Sequence, residues 1–158
     1  MTRSIEAELT AYDAIHRSPG NRLIHAIGIP VIMFSVAGAA ALIGQTNGVL
    51  NGGMLLGLIV GIIIGRYDLK CGNTLTLFSW ALTFLAQAVH AQVGTANAAM
   101  IYAASFVIGW IVQFIGHATE RAGPAFGSRP LNLLLGPISV LNDFVPLVRP
   151  APWRGERR

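Results

Sequence analysis

The chain has 158 residues, of which 53% are hydrophobic and only 11% charged, where soluble domains average about 25% charged. The 11 Lys and Arg and 7 Asp and Glu give a net charge of +4, yet residues 23–65 and 71–119 contain none of these types. Each gap has room for two membrane-crossing helices of roughly 20 residues. This excludes a soluble enzyme, a disulfide-stapled secreted domain and a disordered tail. The basic balance reads as a topology signal, and no nucleic-acid partner is expected.

The first element is a short amphipathic helix over residues 4–17, with Ile5, Leu9, Tyr12 and His16 at helical spacing, suited to lying on a membrane surface. It has no apolar run of the signal-peptide kind. Pro19-Gly20 is expected to break it, and Asn21 to cap the next helix. Four spans follow, over about 23–44, 49–65, 74–92 and 98–117, joined by Gln45-Thr46-Asn47-Gly48, by Arg66-Tyr67-Asp68-Leu69-Lys70 and by Val93-Gly94-Thr95-Ala96-Asn97. The fold expected is therefore all-α, an integral membrane four-helix bundle in one domain. Residues 131–148 are apolar, but Pro137, Asp143 and Pro146 argue against a fifth span and for an interfacial or re-entrant segment. A basic tail, 149–158, ends the chain.

All 11 Lys and Arg lie before the first span, between the second and third, or after the fourth. The positive-inside rule then puts both termini in the cytoplasm. The host is the inner membrane if the chain is bacterial and the endoplasmic reticulum if it is eukaryotic. The second span carries Gly53, Gly57, Gly61 and Gly65, a ridge that lets another helix approach closely. It serves either as an intramolecular seam or as a homodimer face. Cys71 is the sole cysteine, so no internal disulfide can form.

Three of the four histidines fall at one membrane face. His16 is on the surface helix, His25 at the start of the first span and His117 at the end of the fourth. His90 belongs to the far end of the third span, roughly 25–30 Å away, and is expected to make only a polar contact there. On the fourth span Trp110, Gln113, His117 and Glu120 share one stripe. Ionisable groups at membrane depth are costly and face the interior. Histidines beside a carboxylate make a ligand set suited to non-haem Fe(II) or to Zn(II), and spacing does not choose between them. Arg22 and Arg121 flank the cluster, either to bind an anionic headgroup or carboxylate or as ordinary topology-setting charges. No G-x-S-x-G context or phosphate loop is present.

These residues also resemble a known family. Tyr12-x3-His16-x4-Asn21-x3-His25-x-Ile-Gly-Ile-Pro30 and Trp110-Ile-Val-Gln113-Phe114-Ile-Gly116-His117-x2-Glu120-x3-Pro124-Ala125 resemble the two signatures of the small four-helix family typified by the fungal endoplasmic-reticulum 2-hydroxy fatty acid dioxygenase. Tyr67-Asp68-Leu69-Lys70-Cys71-Gly72 is similar to its middle loop, and Leu133-Leu-Leu-Gly136-Pro137 to its C-terminal segment. The resemblance implies an Fe(II)-dependent dioxygenase that uses O2 to shorten 2-hydroxy fatty acids by one carbon. It implies His16, His25 and His117 as metal ligands, with Glu120 as a ligand or an orienting group. Gln113 and Asn21 join Glu120 as candidate catalytic residues. Tyr12, Trp110, Arg22 and Arg121 are candidate substrate contacts, and membrane lipid is an expected partner. The alternatives are a non-enzymatic membrane protein that binds a lipid headgroup or metal ion, and a zinc-dependent lipid hydrolase.

Overall fold

A computed structural model describes residues 4–14, 18–44, 50–120 and 132–148. Within them the fold is five helices and no strand: α1 Ile5–Asp13, α2 Pro19–Ala41, α3 Gly52–Gly65, α4 Leu69–Glu120 and α5 Asn132–Phe144.

Side-chain caps explain most of the starts. Ser4 Oγ accepts from the Ala7 N–H at 3.3 Å, and Glu6 and Glu8 in the first turn of α1 complement its dipole. Ser18 Oγ accepts from the Asn21 N–H at 3.1 Å, so Ser18, not Asn21, caps α2. Pro19, expected as a break, is instead the first helical residue, where its missing N–H costs nothing and its φ is pre-set. Asn21 therefore lies inside the helix and is fully buried. Asn51 caps α3 through bonds from Gly53 and Met54. The Asp68 carboxylate accepts from the Cys71 N–H at 2.7 Å where α4 starts.

α4 is two helices in one. Gly94 has φ 76° and ψ 169°, a conformation open to glycine, and the expected five-residue turn shrinks to this point. Tyr102 donates its hydroxyl to the Ala86 carbonyl at 2.6 Å. Those residues lie eight positions either side of Gly94, so the halves 69–93 and 95–120 run back along each other. α3 is shorter than expected: 14 residues at 1.5 Å each make about 21 Å, less than the ~30 Å bilayer core. By length and composition two helices can cross a membrane, Pro19–Ala41 and Leu69–Ala118. Only 28% and 22% of their most apolar stretches are buried, where the core helix of a soluble protein is mostly enclosed.

Glycines set the packing. The second half of α4 runs antiparallel to α2, with Gly116 against Asn21, Gly28 against Gln113, Gly109 against Ile32 and Gly38 against Tyr102. The first half runs antiparallel to α3, with Gly61 against Thr76, Gly57 against Ser79 and Gly53 against Thr83. At Gly72 a Cβ would lie 2.5–2.6 Å from backbone atoms of Gly61 and Gly65, so the two backbones touch. The close approach that the glycine ridge permits is thus used inside the chain, as a seam.

The remaining helices close one end. Ile5, Leu9 and Tyr12 of α1 and Leu135 and Ile138 of α5 form one core with Ile64, Cys71 and Leu75, at the α3–α4 junction. Residues 132–144, expected as an interfacial or re-entrant piece, are thereby a packed helix of this cap. The opposite end has its own small core of Ala86, Ala98 and Tyr102, with Phe34, Leu42 and Val93 against it. The tail 149–158 lies outside the described residues.

Candidate functional site

The cap end is where the polar side chains meet. His25 sits in the second turn of α2 and is buried. Its Nδ1 is 2.9 Å from the Asn21 carbonyl oxygen. A carbonyl only accepts, so Nδ1 is the donor in this contact. The antiparallel register of α2 and α4 brings His117, also buried, to the same level. The two rings meet edge to face with centroids 5.0 Å apart.

Gln113 lies one turn before His117, and its Nε2 is buried with no hydrogen-bond partner among the described residues. It reaches this place because position 28 has no side chain: a Cβ there would come within 2.5 Å of Nε2. Asn21 fills the space over Gly116 and does not line the cavity described below. Its backbone carbonyl orients His25.

Arg22 is held inside the chain. Its guanidinium bonds to the Asp143 carboxylate of α5 and lies 3.9 Å from Asp13 of α1. Ser139 Oγ donates to Asp13 at 2.8 Å. Arg22 is thus held by the chain's own carboxylates, tying α1, α2 and α5 together, and is not a free anion contact. Tyr12 is buried beside this cluster. Burial, then the neighbouring Asp13 charge, push its phenol pKa upward, so its hydroxyl remains a donor.

A cavity of about 330 Å³ runs from these groups into the helices, at the small end of ligand pockets (~300–1,000 Å³). Tyr12, His25, Gln113 and His117 stand at its cap end; Ile29, Met33, Leu56, Val60 and Trp110 are among its walls. Leu133, Leu134, Gly136 and Pro137 of α5 close it above. Trp110 stacks in tilted fashion on Phe114, with centroids 5.7 Å apart.

The structure therefore brings together His25, His117, Gln113, Tyr12 and Trp110. His16 and Arg121 lie outside the described residues, as does the side chain of Glu120, whose backbone ends α4. Among the described residues no three His, Cys, Asp or Glu side chains gather as a metal site. What is present fits two ligands of one. With metal–nitrogen bonds of about 2.0–2.1 Å, rings 5.0 Å apart are close enough to share an ion. An Nδ1–H held by a backbone carbonyl is also the usual orienting contact of a histidine ligand. His90 is half-buried, with a ring nitrogen 3.0 Å from Thr95 Oγ1 across the Gly94 reversal, at the hairpin end and away from His117.

Sequence reasoning missed the part played by α5. Asp143 stood out only as a charge ill-suited to a membrane segment; its need for a cationic partner was the usable signal, though nothing close in sequence names Arg22.

In comparisons with known proteins, no curated protein and no solved structure matches the chain. A family profile does: the one described as 2-hydroxy-palmitic acid dioxygenase Mpo1-like, over residues 2–146. That match takes in both ends of the chain from which His25 and His117 come, and the chain belongs to the Mpo1-like family.

Proposed function

We propose that this chain is a membrane-embedded, Fe(II)-dependent dioxygenase that shortens 2-hydroxy fatty acids by one carbon. One observation carries the reading: an apolar chamber that ends on two buried, facing histidines. An amphiphile with a metal-chelating head and a hydrocarbon tail is the ligand that matches both parts.

His25 and His117 would hold the iron, with His16 and Glu120 as the further ligands. When bound, the iron supplies O2 activation and open positions for the substrate's carboxylate and hydroxyl. The rest falls to the protein. The Asn21 carbonyl orients His25 through Nδ1, so that Nε2 is the nitrogen that would meet the metal. Tyr12 and Gln113 bring hydrogen-bond donors to the head of the acid, and Tyr12 stays protonated because it is buried. α1 and α5 keep water from the cap end. The apolar walls fix the tail, and so the C1–C2 bond at one level. Overall the balance closes with O2 as the only oxidant: the 2-hydroxy acid gives the acid one carbon shorter, CO2 and water.

The four helical segments of α2, α3 and α4 would sit in the bilayer with the cap at the cytoplasmic face. Arg22, Arg66 and Lys70 all lie at that end, and apolar side chains such as Leu23, Leu55, Ile62, Leu77 and Ile108 face outward. Patches of this kind are larger than a soluble surface tolerates.

The test is direct. Protein purified in detergent, loaded with Fe(II) without oxygen and then given 2-hydroxypalmitic acid and air is expected to yield the fifteen-carbon acid. Full recovery of substrate from protein with verified iron occupancy would discard the activity. Equal turnover with Zn(II), free of iron, would replace it with metal-assisted hydrolysis or another non-redox chemistry.

A further inference from the structure

The walls of the chamber stop at one level on every helix. The deepest lining residues are Ala37 on α2, Gly53 on α3, and Ser79 and Phe106 on the two halves of α4. One turn further on, the space is filled. Tyr102, four positions before Phe106, lays its ring over Gly38, with Cε1 2.7 Å from where a Cβ would stand. Its hydroxyl is fixed on the Ala86 carbonyl at 2.6 Å, and Phe34 meets the ring edge-on at 5.5 Å between centroids. Thr83, one turn past Ser79, is fully buried with its methyl against Gly53 and its hydroxyl on the Ser79 carbonyl at 2.8 Å. The ring is buried, packed against α2 and hydrogen-bonded, so it cannot yield cheaply.

Both long helices give the same depth. Ala37 is twelve residues along α2 from His25, about 18 Å, and Phe106 is eleven from His117, about 16 Å. Half of the ~30 Å bilayer core is ~15 Å, so the chamber spans one leaflet's depth of hydrocarbon. Between its cap end and that level the lining is apolar apart from the Ser79 hydroxyl and the Trp110 indole N–H, and the walls therefore suit an unsubstituted straight tail.

We infer that Tyr102, backed by Phe34 and Thr83, is the end stop that sets the longest straight acyl tail the chamber holds. This rests on the fatty-acid reading above and adds a specificity-determining residue to it. The head is held at the histidines and the tail points at Tyr102. A tail that overruns the ring must bend, displace it, or leave sideways between Val36 and Phe106, both partly exposed.

The test needs no turnover. Fe(II)-loaded protein in lipid nanodiscs, kept free of oxygen, is titrated with saturated straight-chain 2-hydroxy acids of rising length, and affinity is expressed per mole of lipid. On that scale a methylene leaving lipid for the chamber gains little, so affinity is level while the tail fits. Beyond the stop it falls, by about tenfold for the first overrun, the size of an overpacking cost.

Ala37→Leu raises the floor and should move the break to shorter tails. Tyr102→Ala removes the stop and should move it to longer ones. Tyr102→Phe keeps the ring and loses only the bond to Ala86, so its break should stay. Melting curves establish which variants are folded, and Ala37→Leu decides alone if Tyr102→Ala is not. A wild-type profile without a break shows that tails exit between Val36 and Phe106 and overturns the inference. So does an unmoved break in folded Ala37→Leu or Tyr102→Ala, or a Tyr102→Phe break that moves as far as that of Tyr102→Ala. Iron-loaded wild type with a clear break but no turnover fails the dioxygenase reading alone. Turnover with an unmoved break in the variants fails the end stop alone.

Discussion

At the end where α2 begins, the helices are closed by two further helices, an Arg22–Asp13–Asp143 cluster and a pair of histidines. At the other end, the Gly94 reversal and the Tyr102 ring close the halves of α4 with no formal charge among the described residues. The hairpin end is held by apolar packing and neutral hydrogen bonds, such as those of Tyr102, His90 and Asn51. The cap end instead ties α1, α2 and α5 together through ionic groups. Buried charges bring desolvation costs that apolar packing avoids, so the two ends are closed by different chemistry, with the charges gathered beside His25.

The largest expected difference between the ends is in metal. His25→Ala or His117→Ala should lower iron affinity by more than about 100-fold, beyond what loss of an outer-shell partner does. His90→Ala, at the hairpin end, should leave it unchanged. Metal analysis of the three purified variants checks this, and equal losses would erase the functional distinction between the ends.

Next comes the ion cluster. Arg22→Ala leaves Asp13 and Asp143 buried near each other without their cation, and breaking a buried pair costs about 3 kcal/mol. Thermal unfolding in detergent should show a clear drop. Arg22→Met combined with Asp143→Leu should recover much of it, since an apolar replacement of such a pair is often neutral or better. Lys70→Ala, which loses an exposed bond to the Pro146 carbonyl, should change stability by less than about 0.5 kcal/mol.

The two ends also differed in how far they could be read from the sequence. The uncharged stretches 23–65 and 71–119 marked out the apolar helices, and counting their reversals placed His25 and His117 at one face, where they do meet. Both facts depend on composition and periodicity, which are local. Asp143 and Arg22 are 121 positions apart, and nothing near Asp143 names its partner, so the sequence pointed to an interfacial or re-entrant segment without showing that α5 packs as a cap. Ser18 and Asn21 are both good capping residues. Pro19 decides between them, because at the first helical position it starts a helix as well as it stops one. The single-residue reversal at Gly94 was hidden among neighbours that would suit a longer turn.

A matched pair of glycine substitutions sharpens the contrast. Gly38→Ala, at the hairpin end, drives a methyl to 2.7–2.8 Å from the fixed Tyr102 ring and should cost about 1–3 kcal/mol. Gly28→Ala, at the cap end, meets the amide of Gln113 at 2.5 Å. An amide tip can swing aside, so the melting temperature should fall less. Swinging aside takes the amide from the chamber, however, and turnover of the 2-hydroxy acid should suffer more than in Gly38→Ala. The same loss of stability and the same loss of turnover in both variants would mean that the two seams are equivalent.

The smallest effect is one of pH. Tyr12 at the cap end has its phenol pKa raised above the ordinary 10.0 by burial and by Asp13. A raised folded value means that the unfolded chain gives up this proton first. Stability is therefore fully present below about pH 10, where the unfolded phenol is still protonated, and is lost as pH rises through the higher folded value. Near neutral pH the titration contributes nothing. Tyr12→Phe should thus show the same stability trend as the wild type up to about pH 9 and a shallower decline above pH 10, followed by denaturant unfolding at each pH. An unchanged alkaline limb in Tyr12→Phe would mean that the phenol is reached by water, and the cap would then be a poorer seal over the histidines than its packed core indicates.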